Sequence, residues 1–308
     1  VRKIAVVGSI NIDYFIESEK LPEIGETLLG NQFFLSVGGK GSNQAVAASR
    51  LGAQVALFGS VGSDEIGEIF IENMKNETVD LKNLNLVEES HTGVAFIEIC
   101  NSENRILVVP GANEYTNVNY ITRVLDELLT YDIVLFQMET PIELMEYLIP
   151  LLHEKGKIII VNPAPAQKIK KHLVEQITYI TPNEHEYEIV FDSKQPMEEI
   201  LKDYPNQLII TCGTNGVVYY DGQEIIRIPV IKVEPVDTTG AGDSFSGGFA
   251  VAIAEGKNLY DSICFGTIVA GLSVTKKGAQ TGMPYRNEVD LLWKEELKHE
   301  GKDHVIEN

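Results

Sequence analysis

The sequence predicts an α/β fold built around a largely buried, mainly parallel sheet. Short β-branched runs alternate with helix-length segments, some of these segments stop at a glycine, and two regions interrupt the rhythm with strands alone. Runs at 4–7, 55–61, 133–136, 158–161, 179–181 and 208–211 read as central strands. Helices are expected at 43–51 (stopped by Gly52), 66–75, 118–129, 142–155, 245–255 (closed by Gly256) and 259–275. The two interruptions lie at about 12–37 and 92–109. They hold Tyr14-Phe15-Ile16, Thr27-Leu28-Leu29 and the runs 93–99 and 105–109, with no helix among them. A small β-sheet packed over one edge of the main body accommodates both and would make a natural lid. No repeat divides the chain, so residues 1–308 are expected to form one domain, with a polar tail that frays after Trp293.

Composition narrows the function. The 308 residues carry 45 Asp and Glu against 25 Lys and Arg, a formal net charge of −20. Such a surface repels nucleic-acid phosphates and anionic lipid, so neither is an expected partner. A nucleotide remains admissible, because one helix N-terminus holds phosphate locally against an unfavourable overall field. Cys100, Cys212 and Cys264 are widely spaced and form no C-x-x-C pair, which reads as reduced thiols in a cytoplasmic protein. The apolar run that opens the chain is too short for a signal peptide, and no stretch approaches a membrane span.

Three segments carry chemistry. In Asp237-Thr238-Thr239-Gly240-Ala241-Gly242-Asp243-Ser244-Phe245, residues with almost no side chain open a helix. Unpaired amides at a helix start, with the macrodipole behind them, form an anion hole suited to a migrating phosphoryl group. Asp243 places a carboxylate beside it, where it can accept a hydroxyl proton. In Val37-Gly38-Gly39-Lys40-Gly41-Ser42-Asn43-Gln44-Ala45, glycines let backbone approach a polyol, and Lys40 and Asn43 can bond its hydroxyls. In Gly8-Ser9-Ile10-Asn11-Ile12-Asp13 the two polar side chains share one face of an extended segment, and a carboxylate can accept from two adjacent hydroxyls. Each segment alone also reads as a capped helix, a glycine turn or a solvated strand end. Together they fit the strand-end positions where open α/β sheets bind ligands.

The second and first of these segments, in chain order, resemble the two signatures of the PfkB family of carbohydrate kinases, on its ribokinase-like branch. Supporting motifs are Gly111-Ala112-Asn113, Asn162-Pro163-Ala164-Pro165-Ala166, Thr181-Pro182-Asn183-Glu184 and Lys277-Gly278-Ala279-Gln280, all in family order. The resemblance implies a ribokinase-like three-layer α/β/α sandwich with a small β-sheet lid, and ATP-dependent phosphorylation of the 5-hydroxyl of D-ribose. It implies Asp243 as catalytic base, with the backbone of Gly240, Ala241 and Gly242 stabilising the phosphoryl oxygens. Asn11, Asp13, Gly39, Lys40, Asn43 and Glu139 fall on sugar-holding positions, and Asn183, Thr211, Gly213, Gly216 and Gly242 on nucleotide positions. Glu186 would organise Mg2+ through water, an outer-sphere role that suits this ion. Asp237, Thr239, Ser273, Lys276, Gly278 and Gly282 match a K+ site built mostly of backbone carbonyls, although Thr281-Gly282 departs from the usual pattern there. A homodimer joined through an apolar lid face that carries Phe15, Phe96 and Ile97 is also implied.

Two other readings remain. A deoxyribose, fructose or nucleoside kinase would share the architecture, and a non-catalytic sugar or nucleotide sensor would share the fold. Metalloprotease, dinucleotide-dehydrogenase, serine-hydrolase and Walker A signatures are all absent from the sequence.

Overall fold

The computed structural model describes residues 2–100 and 103–303. In chain order the strands are β1 (Ile4–Val7), β2 (Asn11–Glu17), β3 (Gln32–Gly38), β4 (Val55–Phe58), β5 (Ser60–Gly62), β6 (Asn85–Val87) and β7 (Gly93–Cys100). There follow β8 (Glu103–Val109), β9 (Ile133–Phe136), β10 (Ile158–Val161), β11 (Tyr179–Ile180), β12 (Ile209–Thr211), β13 (Val217–Tyr220) and β14 (Ile225–Ile228). The helices are α1 (Lys40–Arg50), α2 (Glu65–Met74), α3 (Val118–Leu128), α4 (Ile142–Glu154), α5 (Lys171–Val174) and α6 (Tyr187–Val190). After them come α7 (Met197–Asp203), α8 (Ala241–Ala254), α9 (Leu259–Ser273), α10 (Ala279–Gly282) and α11 (Arg286–Asp303).

The main sheet is parallel, in the order β11-β10-β9-β1-β4. Side chains alternate across it, and each set has its own core. Ile4, Val6, Leu57, Ile133, Leu135 and Ile160 join the apolar residues of α1, α8 and α9. Ala5, Val7, Phe58, Val134, Phe136 and Val161 join those of α3, α4, α5, α6 and α7. Two separate cores on one sheet make the three-layer sandwich that the resemblance implied. Both faces need covering because the strands are apolar throughout.

The expected small sheet is present. It has four strands in the order β3-β2-β7-β8, with β2 and β7 parallel and the outer pairs antiparallel. Thr27-Leu28-Leu29 is a loop rather than a strand, and Leu29 is fully exposed. The run at 55–61 breaks at Gly59 into β4 and β5, which belong to different sheets, and a side chain at Gly59 would meet the Gly8 carbonyl at 2.8 Å. The segment at 208–211 is not a central strand. It touches β11 through a single bridge and belongs to an antiparallel sheet with β13 and β14. Helix α11 continues past Trp293 to Asp303, and the last five residues of the expected frayed tail lie outside the described residues.

Helix α8 is buried from Asp243 to Ala254. A side chain at Gly247 would meet Ala47 Cβ at 2.6 Å, and one at Gly248 would meet Val269 Cγ2 at 2.8 Å. The small residues of this helix therefore let it pack close against α1 and α9. That approach sets the first turn of α8 beside the first turn of α1, where the candidate site lies.

Candidate active site

Helix α8 begins at Ala241, four residues earlier than its pattern predicts, so Asp243 sits in its first turn. Gly240 precedes it in the left-handed region at φ 76°, which lets the chain turn sharply into the helix. The N–H of Ala241 donates to Thr238 O at 3.2 Å. Those of Gly240, Gly242 and Asp243 take no acceptor among the described residues. Nothing lies within 4 Å of the position a Gly242 side chain would occupy. Of the expected trio, Gly240 and Gly242 thus keep unbonded amides and Ala241 does not, Asp243 adds a third unbonded amide, and Gly242 faces open space.

Asp243 is only 5% exposed, and both its oxygens are held. Asn43 Nδ2 donates to Oδ2 and Gln44 Nε2 to Oδ1, each at 2.9 Å. Asn43, expected to face sugar hydroxyls, here orients the carboxylate, and its own Oδ1 accepts from Gln280 Nε2 at 3.1 Å.

Around this pair the sugar-side candidates converge. Glu139 accepts from Ser9 Oγ at 2.5 Å and from the Lys40 backbone N–H at 2.9 Å, joining the end of β1 to the start of α1. Asn11 Oδ1 accepts from Asn113 Nδ2 at 2.8 Å, and Asn113 also bonds both backbone groups of Ile10. Asp13 lies over Gly38, where a side chain would fall 2.2 Å from its carboxylate. Burial, then the charges of Glu139 and Asp243, raise Asp13 to about 7, with Lys40 pulling the other way. Lys40 is held above its ordinary range chiefly by Asp243, against burial, with help from Glu139, Glu186 and Asp13. One lysine therefore serves four carboxylates from four separate segments. Such a cluster of charges drawn from remote segments is typical of a functional site.

The glycines of the Gly38-Gly39-Lys40-Gly41 segment also let neighbouring backbone close in. At Gly39, with φ 87°, a side chain would strike Asn11 N at 2.7 Å. At Gly41 it would strike Gly8 C and Ser9 N at 2.5 Å. Their smallness admits the neighbouring chain, which brings Ser9, Asn11 and Asp13 against α1.

Asn183 and Glu186 form a reciprocal capping box: Asn183 Oδ1 accepts from Glu186 N at 3.0 Å, and Glu186 Oε2 from Asn183 N at 2.8 Å. Burial raises Glu186, which the Asn183 N–H and Lys40 partly offset. One carboxylate oxygen remains for a water or a hydrated cation. Thr211 bridges to Asn183 at the end of β12, and Gly213 lies open beyond it. Gly216 instead backs onto Ile228, where a side chain would fall 2.0 Å from the carbonyl oxygen. A cavity of about 100 Å³ nearby, lined by Ile228, Val230, Thr267 and Ile268, was not foreseen from the sequence.

Of the expected cation ligands, Asp237 accepts from Thr239 N and Oγ1 at 2.9 and 2.6 Å and from Gly278 N at 2.8 Å. Burial raises its carboxyl, but these donors outweigh burial and hold it below its usual range. The Ser273 and Lys276 carbonyls both approach Gly282, where a side chain would lie 2.5 and 3.5 Å from them. The expected set is brought together, and Gly282 is required by the carbonyl that crowds it.

Sequence reasoning missed Ser9, Gln44, Gln137 and Gln280 as site residues. Gln44 stood within a recognised segment, but nothing local distinguishes a buried glutamine that holds a carboxylate from one on a solvated face.

The chain matches the model of the pfkB family carbohydrate kinases over residues 1–286. It is 44% identical to the ribokinase of Bacillus subtilis over 291 residues, covering 94% of this chain and 99% of that one. It is 40% identical to the ribokinase of Lactococcus lactis over 294 residues, covering 95% and 97%. Its fold superposes on that of Arabidopsis thaliana ribokinase complexed with ribose and ATP with a TM-score of 0.88 and 29% identity, covering 96% and 99% of the two chains.

Proposed function

Because this chain belongs to the pfkB family of carbohydrate kinases, we propose that it transfers the γ-phosphoryl group of ATP to the 5-hydroxyl of D-ribose, giving D-ribose 5-phosphate and ADP. The observation that carries this reading is the pairing of Asp243 with the unbonded amides of its own helix turn. The carboxylate accepts the hydroxyl proton as the oxygen attacks, and the amides of Gly242 and Asp243 meet the charge on the phosphoryl oxygens. Catalysis in such in-line transfer is mostly positioning and charge stabilisation. The high identity to proteins named ribokinase supports ribose over a deoxyribose or another sugar. So do Asn11 and Asp13, which a hydroxyl-poor sugar would leave unpaired.

Mg2+ with the nucleotide supplies neutralisation of phosphate charge, and Glu186 fits a water-mediated hold on it. Asp237, Gly278, Gly282 and the Ser273 and Lys276 carbonyls fit a K+ site, since an ionised carboxylate and converging carbonyls suit a monovalent cation. We infer that the small β-sheet closes over bound sugar and keeps water from the phosphoryl group. On the face opposite Asp13 it exposes Phe33, Leu35, Phe96 and Leu107, which favours a homodimer. Phe15 and Ile97, expected on that face with Phe96, lie on the other, where Ile97 is buried and Phe15 half-buried. Cys100 and Cys212 are buried thiols outside any disulfide, which favours the cytoplasm, and among the described residues no helix is long and apolar enough to cross a membrane.

A panel of sugars with ATP and Mg2+, read by ADP release with and without K+, tests the assignment. Ribose should give the highest kcat/KM, and Asp243→Asn should lower kcat by at least roughly 10²-fold, the low end for a general base. Binding of sugars without ADP release from any would establish a sensor instead.

A further inference from the structure

Asp243 is tethered through a chain of buried carboxamides that ends on the main sheet. Thr181 O, a backbone carbonyl just past β11, can only accept, and Asn162 Nδ2 donates to it at 3.0 Å. This turns Asn162 Oδ1 toward Gln44, so only the N–H edge of Gln44 fits there, at 3.0 Å. The same Nε2 donates to Asp243 Oδ1 at 2.9 Å. Gln44 Oε1 faces the other way and accepts from Gln137 Nε2 at 2.6 Å. Gln44 and Gln137 are fully buried and Asn162 is 7% exposed, so water does not compete. Both donors and the acceptor of Gln44 are satisfied, and the reversed amide would set oxygen against oxygen at both Asp243 and Asn162.

We propose that Gln44 is the positioning residue for Asp243, and that Asn162 and Gln137 set the edge of its amide presented to the carboxylate. The proposal rests on Asp243 being the base. Gln137, Asn162 and Thr181 each directly follow a neighbouring strand, β9, β10 and β11, so the carboxylate is aimed by reference to the sheet. Asn43, on the other oxygen, belongs to the sugar-side set and can exchange partners when substrate enters. Gln44 has no such second role and holds Oδ1 throughout the cycle.

The test is a double-mutant cycle on the full chain with ribose and ATP. Gln44→Met, which keeps volume but removes the donor, should lower kcat about 10- to 100-fold with both KM values within about 2-fold, the pattern of a misplaced group rather than a lost binding contact. In an Asp243→Asn background the same change should lower kcat less than about 2-fold further, because its effect runs through the carboxylate. Gln137→Met, which does not touch Asp243, should give a smaller loss of the same kind and keeps the test open if Gln44→Met fails to fold. A raised KM with kcat retained, or normal kinetics in the variants that fold, overturns the tether. So does an equal loss in both backgrounds. An Asp243→Asn enzyme of near-normal kcat overturns the base itself and the tether with it, whereas an impaired one leaves the base standing.

Discussion

Replacing Asp13 with asparagine should stabilise the empty protein while it damages sugar binding. Asp13 is raised from 3.8 to about 7, first by burial and then by Glu139 and Asp243. Below about pH 4 it is protonated in both folded and unfolded chains and contributes nothing. Between about 4 and 7 the unfolded chain releases a proton that the folded one retains, so stability falls as pH rises. Above 7 the full penalty stands. Holding a proton to about 7 rather than 3.8 corresponds, at 1.36 kcal/mol per pH unit, to about 4 kcal/mol. Local relaxation and water entry lower that ceiling, so Asp13→Asn should gain about 2 kcal/mol at pH 8 and nearly nothing at pH 4. Equilibrium urea unfolding without sugar, at both pH values, measures this. The ribose affinity of the unmodified enzyme should weaken as pH falls from 8 to 6, because only the ionised carboxylate accepts from two hydroxyls. A variant no more stable than the parent at pH 8 would refute the buried, charge-crowded picture of Asp13.

Gly41→Ala should destabilise by about 2 kcal/mol, since its side chain would lie 2.5 Å from the backbone of Gly8 and Ser9, which has no room to yield. Gly156→Ala, at φ 67° with nothing within 4 Å, should lose only about 1 kcal/mol from backbone strain, and urea midpoints for the two variants would show the difference. Glu77→Gln breaks a bidentate pair with Arg50 whose side chains are each 11% exposed. It should cost about 3 kcal/mol, the low end for a broken buried pair. Because Arg50 also clamps the Gln280 and Met283 carbonyls, kcat should fall along with stability in the same preparations. A sedimentation profile of a dimer that Leu107→Asp converts to monomer would bear out the exposed sheet face as the contact.

Much of the architecture was legible in the sequence because its signals are local. Five of the six expected central strands hold elements of the main sheet, and the two helix-free regions supply all four strands of the small one. The hairpin of β13 and β14 was missed although Asp221-Gly222, a strong two-strand turn signal, stands between its strands. The missing strands explain why 208–211 was placed in the centre: an apolar run looks alike in a parallel core and at the margin of a second sheet.

For the site, sequence alone determined which residue types were available and in what order: a carboxylate after small residues at a helix start, a lysine among glycines, and polar residues at strand ends. Tertiary structure decided what each one touches. Asp243 meets Asn43 and Gln44 across some two hundred residues only because Gly247 and Ala47 let two helices approach, and no local period encodes that contact. Long-range packing likewise set Gly39 and Gly41 against the backbone of residues 8–11 and brought four carboxylates within electrostatic reach of Lys40, whereas the Asn183–Glu186 capping box, three residues long, is local. Charge and hydrogen-bond energies depend on distances between remote segments, and those distances exist only once both cores have closed on the sheet.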